Sequence, residues 1–214
     1  MGDEQGDRTR DFERFLTFVD AIVAIAITLL VLPLVDLATT LGSGSVGTLL
    51  ADHSTQLLAF LLSFLVIANL WFDQHRALHS VVTHSPLVNR LLMGWTLTIV
   101  VLPFPTALVA DVGSQAATKV FYIGTMALSS ALLAALCWAI GRDRSIRDSD
   151  DRPDPAPAVA SFLCYLVALA VTLLVPASTY YPLLLLLLAR PGIRLWRRVR
   201  SMVPGNRPAP GTGR

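Results

Sequence analysis

Apolar residues along this chain collect into long unbroken blocks rather than into the three-and-four spacing of a half-buried surface helix. Six blocks stand out, at about 15–35, 56–75, 87–110, 118–140, 157–176 and 179–193. Each is near the ~20 residues that a helix rising ~1.5 Å per residue needs to cross ~30 Å of hydrocarbon. The pattern therefore predicts an all-α, six-transmembrane-helix membrane protein. The connections are too short for a second domain, so residues 1–203 read as one six-span unit. Within it the segment Gly141–Ala156, rich in Asp, Arg and Pro, reads as a solvated linker, and 204–214 has the Pro/Gly composition of a disordered cytoplasmic tail.

Composition agrees: 54% of residues are apolar and 15% charged, far from the balance of a soluble domain. Charges before the first block raise the alternative of a secretory signal. Its apolar core is longer than a signal core, contains Asp20 and lacks a small-residue cleavage site, so it is expected to be an uncleaved span. Cys137 and Cys164 lie inside spans four and five with no CxxC or Cys/His cluster, and they imply neither a disulfide framework nor a metal site. No GxGxxG, P-loop, GxSxG or HExxH motif is present. The reading is of a protein with no enzymatic activity and no cofactor.

Basic residues alternate from one set of loops to the other. Arg8, Arg10 and Arg14 precede span one, Arg76 and Arg90 lie between spans two and three, and Arg142, Arg144, Arg147 and Arg152 lie between four and five. Arg190, Arg194, Arg197, Arg198 and Arg200 end or follow span six; the opposite loops carry Asp36, Asp52 and Asp111 and almost no base. The positive-inside rule then places both termini in the cytoplasm of a multi-pass protein of the cell membrane. The arginines of 194–200 fix topology and touch anionic lipid rather than nucleic acid. The acidic outer loops have the sign that would concentrate cations.

Polar residues inside the spans are the candidates for chemistry. An Asp at bilayer depth costs roughly 2.5–3.5 kcal/mol on insertion scales, so Asp20 calls for a partner. Arg14 and the N-terminus of the first helix are the local candidates. Ala21, Ile25, Thr28, Leu29 and Leu32 recur at three- and four-residue steps and share one face. That face either lines a narrow pathway or packs against helices and lipid, and the Thr28 hydroxyl can bond back to the Ala24 carbonyl.

Span two ends in Trp71-Phe-Asp-Gln-His-Arg76, followed by His79 and His84. Trp and Arg suit a membrane boundary. His75 is one turn from Trp71 and can reach Asp20 or Asp73; the three histidines make a weak metal site and carry modest weight as a proton relay. Span three opens on Ser85-Pro86, a cap and first helical position, and closes on Leu102-Pro-Phe-Pro-Thr106, where two prolines kink or end the helix.

These residues resemble the transmembrane protein 175 family of potassium channels, in its short single-repeat bacterial form. That family's first helix carries Arg, three residues, Phe-Ser-Asp, then a small-and-branched run ending Leu-Pro. Here stand Arg14, Phe18, Val19, Asp20 and Ala24-Ile-Ala-Ile-Thr-Leu-Leu-Val-Leu-Pro33. Ser63-Phe64, Trp71, Arg76 and Pro103-Phe104-Pro105-Thr106 also match. The likeness is specific over spans one to three and beyond about residue 112 rests on span count. Val19 replaces the family's Ser, Gln74 stands where its His is expected with His75 next along, and Leu92 stands where its span-three Asn falls, with Asn89 one turn earlier.

The resemblance implies a homotetramer around a central pore lined by the first helix, conducting potassium with modest preference over sodium. It implies constricting rings at Ile25, Leu29 and Leu32 with Thr28 beside them, and a structural polar network of Arg14, Asp20, Trp71 and His75. No metal beyond the permeating potassium, no nucleic acid and no partner besides lipid is implied. The absence of a Thr-Val-Gly-Tyr-Gly loop fits a pore without a carbonyl filter. The rival reading is a proton-coupled transporter using Asp20 and His75; a membrane scaffold without permeation is the default.

Overall fold

The computed structural model describes residues 2–39, 45–79, 81–83, 85–112, 115–147 and 152–174, and all architecture below refers to these. They form eight helices: α1 (Gly2–Leu29), α2 (Leu32–Thr39), α3 (Val46–Asp52), α4 (Ser54–Leu78), α5 (Pro86–Val101), α6 (Pro103–Val112), α7 (Ala116–Arg142) and α8 (Ala156–Leu174). Where two helices follow one another across a proline break they act as one membrane-crossing unit. Five stretches are long and apolar enough to cross: Arg10–Asp36, Ser54–Leu78, Pro86–Val109, Ala116–Arg142 and Ala156–Leu174. These are the first five blocks predicted above, shifted by a few residues; the expected span 179–193 and tail 204–214 lie outside the described residues.

Proline chemistry sets the two breaks. Pro103 has no N–H for the Ile99 carbonyl, and the Leu102 N–H serves that carbonyl and the Thr98 carbonyl together, each at 3.2 Å. In the same way Pro33 has none for the Leu29 carbonyl, and the chain tightens just before it: Leu30 N–H bonds Ile27 and Val31 N–H bonds Thr28, both three residues back. These are 3₁₀-type turns, a usual way to relieve a helix end.

α7 is the central post. It packs most heavily on α8 and α5 and also touches α4 and α6, while α1 leans on α5 and more lightly on α4 and α6. Burial follows helical period. On α4, Ala59, Leu62, Ser63, Val66, Ile67, Leu70, Gln74 and Ala77 turn inward, and on α1 the inward set is Phe12, Val19, Val23, Ala26 and Leu30. The core is filled by Trp95, Tyr122, Leu92, Ile99 and Met126, all at most 1% exposed.

One polar junction crosses this core. Ser63 Oγ lies 2.9 Å from Thr106 Oγ1 and 2.8 Å from Tyr122 Oη, and Thr106 Oγ1 donates to the Leu102 carbonyl at 2.7 Å. Each hydroxyl has one proton. Since that of Thr106 goes to Leu102, Ser63 donates to Thr106 and Tyr122 donates to Ser63. The chain pins α6, just past its prolines, to α4 and α7.

Candidate pore helix and its polar anchor

α1 presents two faces with different fates. Its inward face joins the core; the opposite face, with Ala21, Ile25, Thr28, Leu29 and Leu32, is exposed among the described residues. Ile25 is 59% exposed, Leu29 40% and Leu32 53%. Of the five spans the first is the most apolar and the least buried within the subunit. Ile25, Thr28 and Leu29 stand on the last turns before the break, and Leu32 opens α2 beyond it.

The Thr28 hydroxyl donates to the Ile25 carbonyl at 2.7 Å, three residues back. This corrects the expected bond to Ala24, four residues back. A helical Thr hydroxyl reaches either the i−3 or the i−4 carbonyl according to its rotamer. With its proton spent on the backbone, Thr28 Oγ1 keeps its acceptor lone pairs toward the exposed face.

Asp20 sits on the flank of α1 that meets α4. Its Oδ1 accepts the Trp71 indole N–H at 2.9 Å, and its Oδ2 lies 3.9 Å from His75 Nε2. The Trp71 and His75 rings pack together with centroids 4.4 Å apart, as residues one turn apart on a helix do. His75 Nδ1 lies 3.2 Å from Gln74 Oε1. With the Nδ1 proton on Gln74, a neutral ring turns a lone pair toward Asp20, and a protonated ring turns a donor. Asp73 pairs separately, with Arg76 at 3.5 Å.

The structure thus brings Asp20, Trp71 and His75 together and leaves Arg14 out. Among the described residues Arg14 is exposed and is not a partner of Asp20. Helical geometry explains this: six residues back is about 9 Å along the axis and about 240° around it. The helix N-terminus fails as a partner too. α1 begins at Gly2, so its first turn lies about 27 Å from Asp20. One cross-helix hydrogen bond, from the Trp71 indole, meets the acid, with the His75 ring 3.9 Å away beside it.

No three metal-ligating side chains converge among the described residues, and His84 falls outside them. Among the described residues Leu92 is fully buried and Asn89 Oδ1 is buried without a hydrogen-bond partner, while Asp20 meets Trp71 and His75. The Ser63, Thr106 and Tyr122 chain is a polar feature that sequence reading missed; its signal was three hydroxyls inside otherwise apolar blocks.

Comparison with known proteins gives three findings. Residues 14–103 match the family model described as the endosomal/lysosomal potassium channel TMEM175. A curated protein from Streptomyces collinus, described as a potassium channel, is 31% identical over 144 residues, covering 63% of this chain and 67% of that protein. The crystal structure of a lysosomal potassium-selective channel TMEM175 homolog from Chamaesiphon minutus superposes with a TM-score of 0.69 at 23% identity, over 91% of this chain and 100% of the other. That last likeness is one of fold, and it carries the shared architecture well past the third span.

Proposed function

We propose, since this chain belongs to the TMEM175 family of potassium channels, that four copies assemble around a central pathway lined by α1 and pass potassium passively, in modest preference to sodium. The observation that carries this reading is the uncovered α1 face. The most apolar span of the subunit is also its least buried, and the exposed side of that span bears Ile25, Thr28, Leu29 and Leu32.

Ile25, Leu29 and Leu32 are then successive constricting rings with Thr28 beside them. Branched side chains from four copies narrow the pathway and exclude water, and such rings gate by dewetting. The Pro33 break lies between the second ring and the third, where a small bend changes their spacing. Asp20, Trp71 and His75 are the anchor that fixes the rotation of α1 against α4. Arg14 has no part in that anchor within one subunit and marks the cytoplasmic side. Residues 1–203 form the channel subunit, in the plasma membrane with both termini inside.

The test is ion flux from liposomes. Purified protein in potassium-loaded vesicles is expected to release potassium without a proton gradient. Intact tetramers that release none would refute the reading.

A further inference from the structure

A cavity of about 570 Å³ opens beside the anchor, between the last turns of α4, the last third of α7 and the start of α8. These three ends lie on the side that the arginine-rich loops mark as cytoplasmic. Its lining is divided by depth. Cys137 and Leu133 stand five and nine residues before the end of α7 at Arg142, so they line it about 7.5 Å and about 13.5 Å below that end. With Phe72 they make an apolar floor at hydrocarbon depth. Arg76, His79 and Arg152 line the same cavity, all three exposed.

The acids of the lining are already engaged by protein. Asp73 holds Arg76 through one guanidinium nitrogen, at 3.5 Å. Asp154 Oδ1 accepts the Ala156 N–H at 2.9 Å, at the start of α8. Arg76 has five donors in a planar fork and its side chain is 59% exposed, so the donors that Asp73 does not take are open to another acceptor. Arg152, in the segment that leads into α8, lines the same cavity and supplies a second fork. Two guanidinium groups above an apolar shaft match a molecule with an anionic head and a hydrocarbon tail. A soluble anion has no use for the shaft, and a fatty chain alone has none for the forks.

We propose that this cavity binds one phospholipid of the cytoplasmic leaflet, its phosphate between Arg76 and Arg152 and an acyl chain along Phe72, Cys137 and Leu133. Basic pockets between spans on this side of a membrane are suited to anionic headgroups. His75 also lines the cavity and faces Asp20 from its other edge, so the occupant sits one side chain from the acid of α1.

The experiment is native mass spectrometry of the full chain after reconstitution, in vesicles of phosphatidylcholine with about one third phosphatidylglycerol. Wild type is expected to retain one phosphatidylglycerol per chain. Arg76→Gln/Arg152→Gln is expected to bind it about thirtyfold more weakly, the product of two cationic contacts near the surface. Leu133→Trp, which fills the shaft and keeps both arginines, is expected to lose it as well, whereas Arg90→Gln on the same side is expected to retain it.

Binding is weighed here independently of conduction, so a protein that passes no ions still tests the site. Wild type without retained lipid, equal retention by the double variant, or equal loss in Arg90→Gln would each overturn the proposal. So would displacement of the lipid by inorganic phosphate with Leu133→Trp unaffected, since that outcome makes it an anion site without a shaft.

Discussion

The Trp71 indole donates to Asp20 at 2.9 Å and so ties the middle of α1 to the end of α4. The bond crosses between helices that otherwise touch lightly. Asp20, half-buried, stands between the buried face of α1 and its exposed one. Trp71→Phe removes the donor and keeps the ring. The carboxylate side chain is 35% exposed, so water takes part of the bond's place and the expected cost is about 1 kcal/mol, below the roughly 1.5–3 kcal/mol of a bond to a charged group. Asp20→Asn keeps an oxygen for the indole and is expected to cost less. Unfolding in mixed micelles measures both; an Asn variant less stable than the Phe variant would contradict this order.

The bare face gives the second prediction. Leu29→Asn and Ile25→Asn replace branched apolar surface with amides that hold water, so each is expected to raise conductance and lower the preference for potassium over sodium. The inward-facing control Val23→Ala changes stability and leaves selectivity alone. Bi-ionic recordings of the three variants separate these outcomes. Unchanged selectivity in both Asn variants would remove Ile25 and Leu29 from the pathway.

Much of this arrangement was legible in the sequence because it is written in local chemistry. Block length gave the five described spans, and Pro103 and Pro105 gave the break after α5; the break before Pro33 was not read from the sequence. Trp71 and His75 stand one turn apart, which fixed their shared face without any tertiary information. Arg14 stands six residues from Asp20, about 240° around the helix, so nearness in sequence does not bring the two together on α1. Two features lay beyond local reading. The Ser63 hydroxyl meets groups 43 and 59 residues away, and no spacing rule links them. The cavity needs α8 beside α4, a neighbour relation set by the packing of both on the same region of α7.

The buried hydroxyl chain yields a graded prediction. Tyr122→Phe removes the interhelical hydrogen bond to Ser63, and Ser63→Ala removes those to both Tyr122 and Thr106. Such bonds inside membrane proteins average about 0.6 kcal/mol each, so the expected losses are about 0.6 and about 1.2 kcal/mol by denaturation in mixed micelles. Equal losses would mean that the chain does not act as drawn.

Outside the membrane, Asp143 begins the linker after α7. Its carboxylate accepts the Ser145 hydroxyl at 2.6 Å and the Ser145 N–H at 3.0 Å, and these bonds hold its pKa below the ordinary 3.8, the hydroxyl being the larger cause. A depressed carboxylate contributes above its unfolded value and loses that contribution as pH falls through the folded one. Protection of the Ser145 amide from hydrogen exchange, corrected for intrinsic rate, is therefore expected to be constant at neutral pH and to fall only below about pH 4. Ser145→Ala is expected to move the Asp143 titration upward, toward 3.8. A carboxyl titration that does not move would show that the hydroxyl contributes nothing.

The central claim is that α1 lines a passive potassium pathway. A reversal-potential measurement on purified protein in a planar bilayer, with potassium on one side and sodium on the other and no pH difference, tests it most directly. The account predicts a current that reverses at a voltage on the potassium-selective side of zero and that persists in Asp20→Asn. A reversal at zero, a current that requires a proton gradient, or no current from intact tetramers would contradict it.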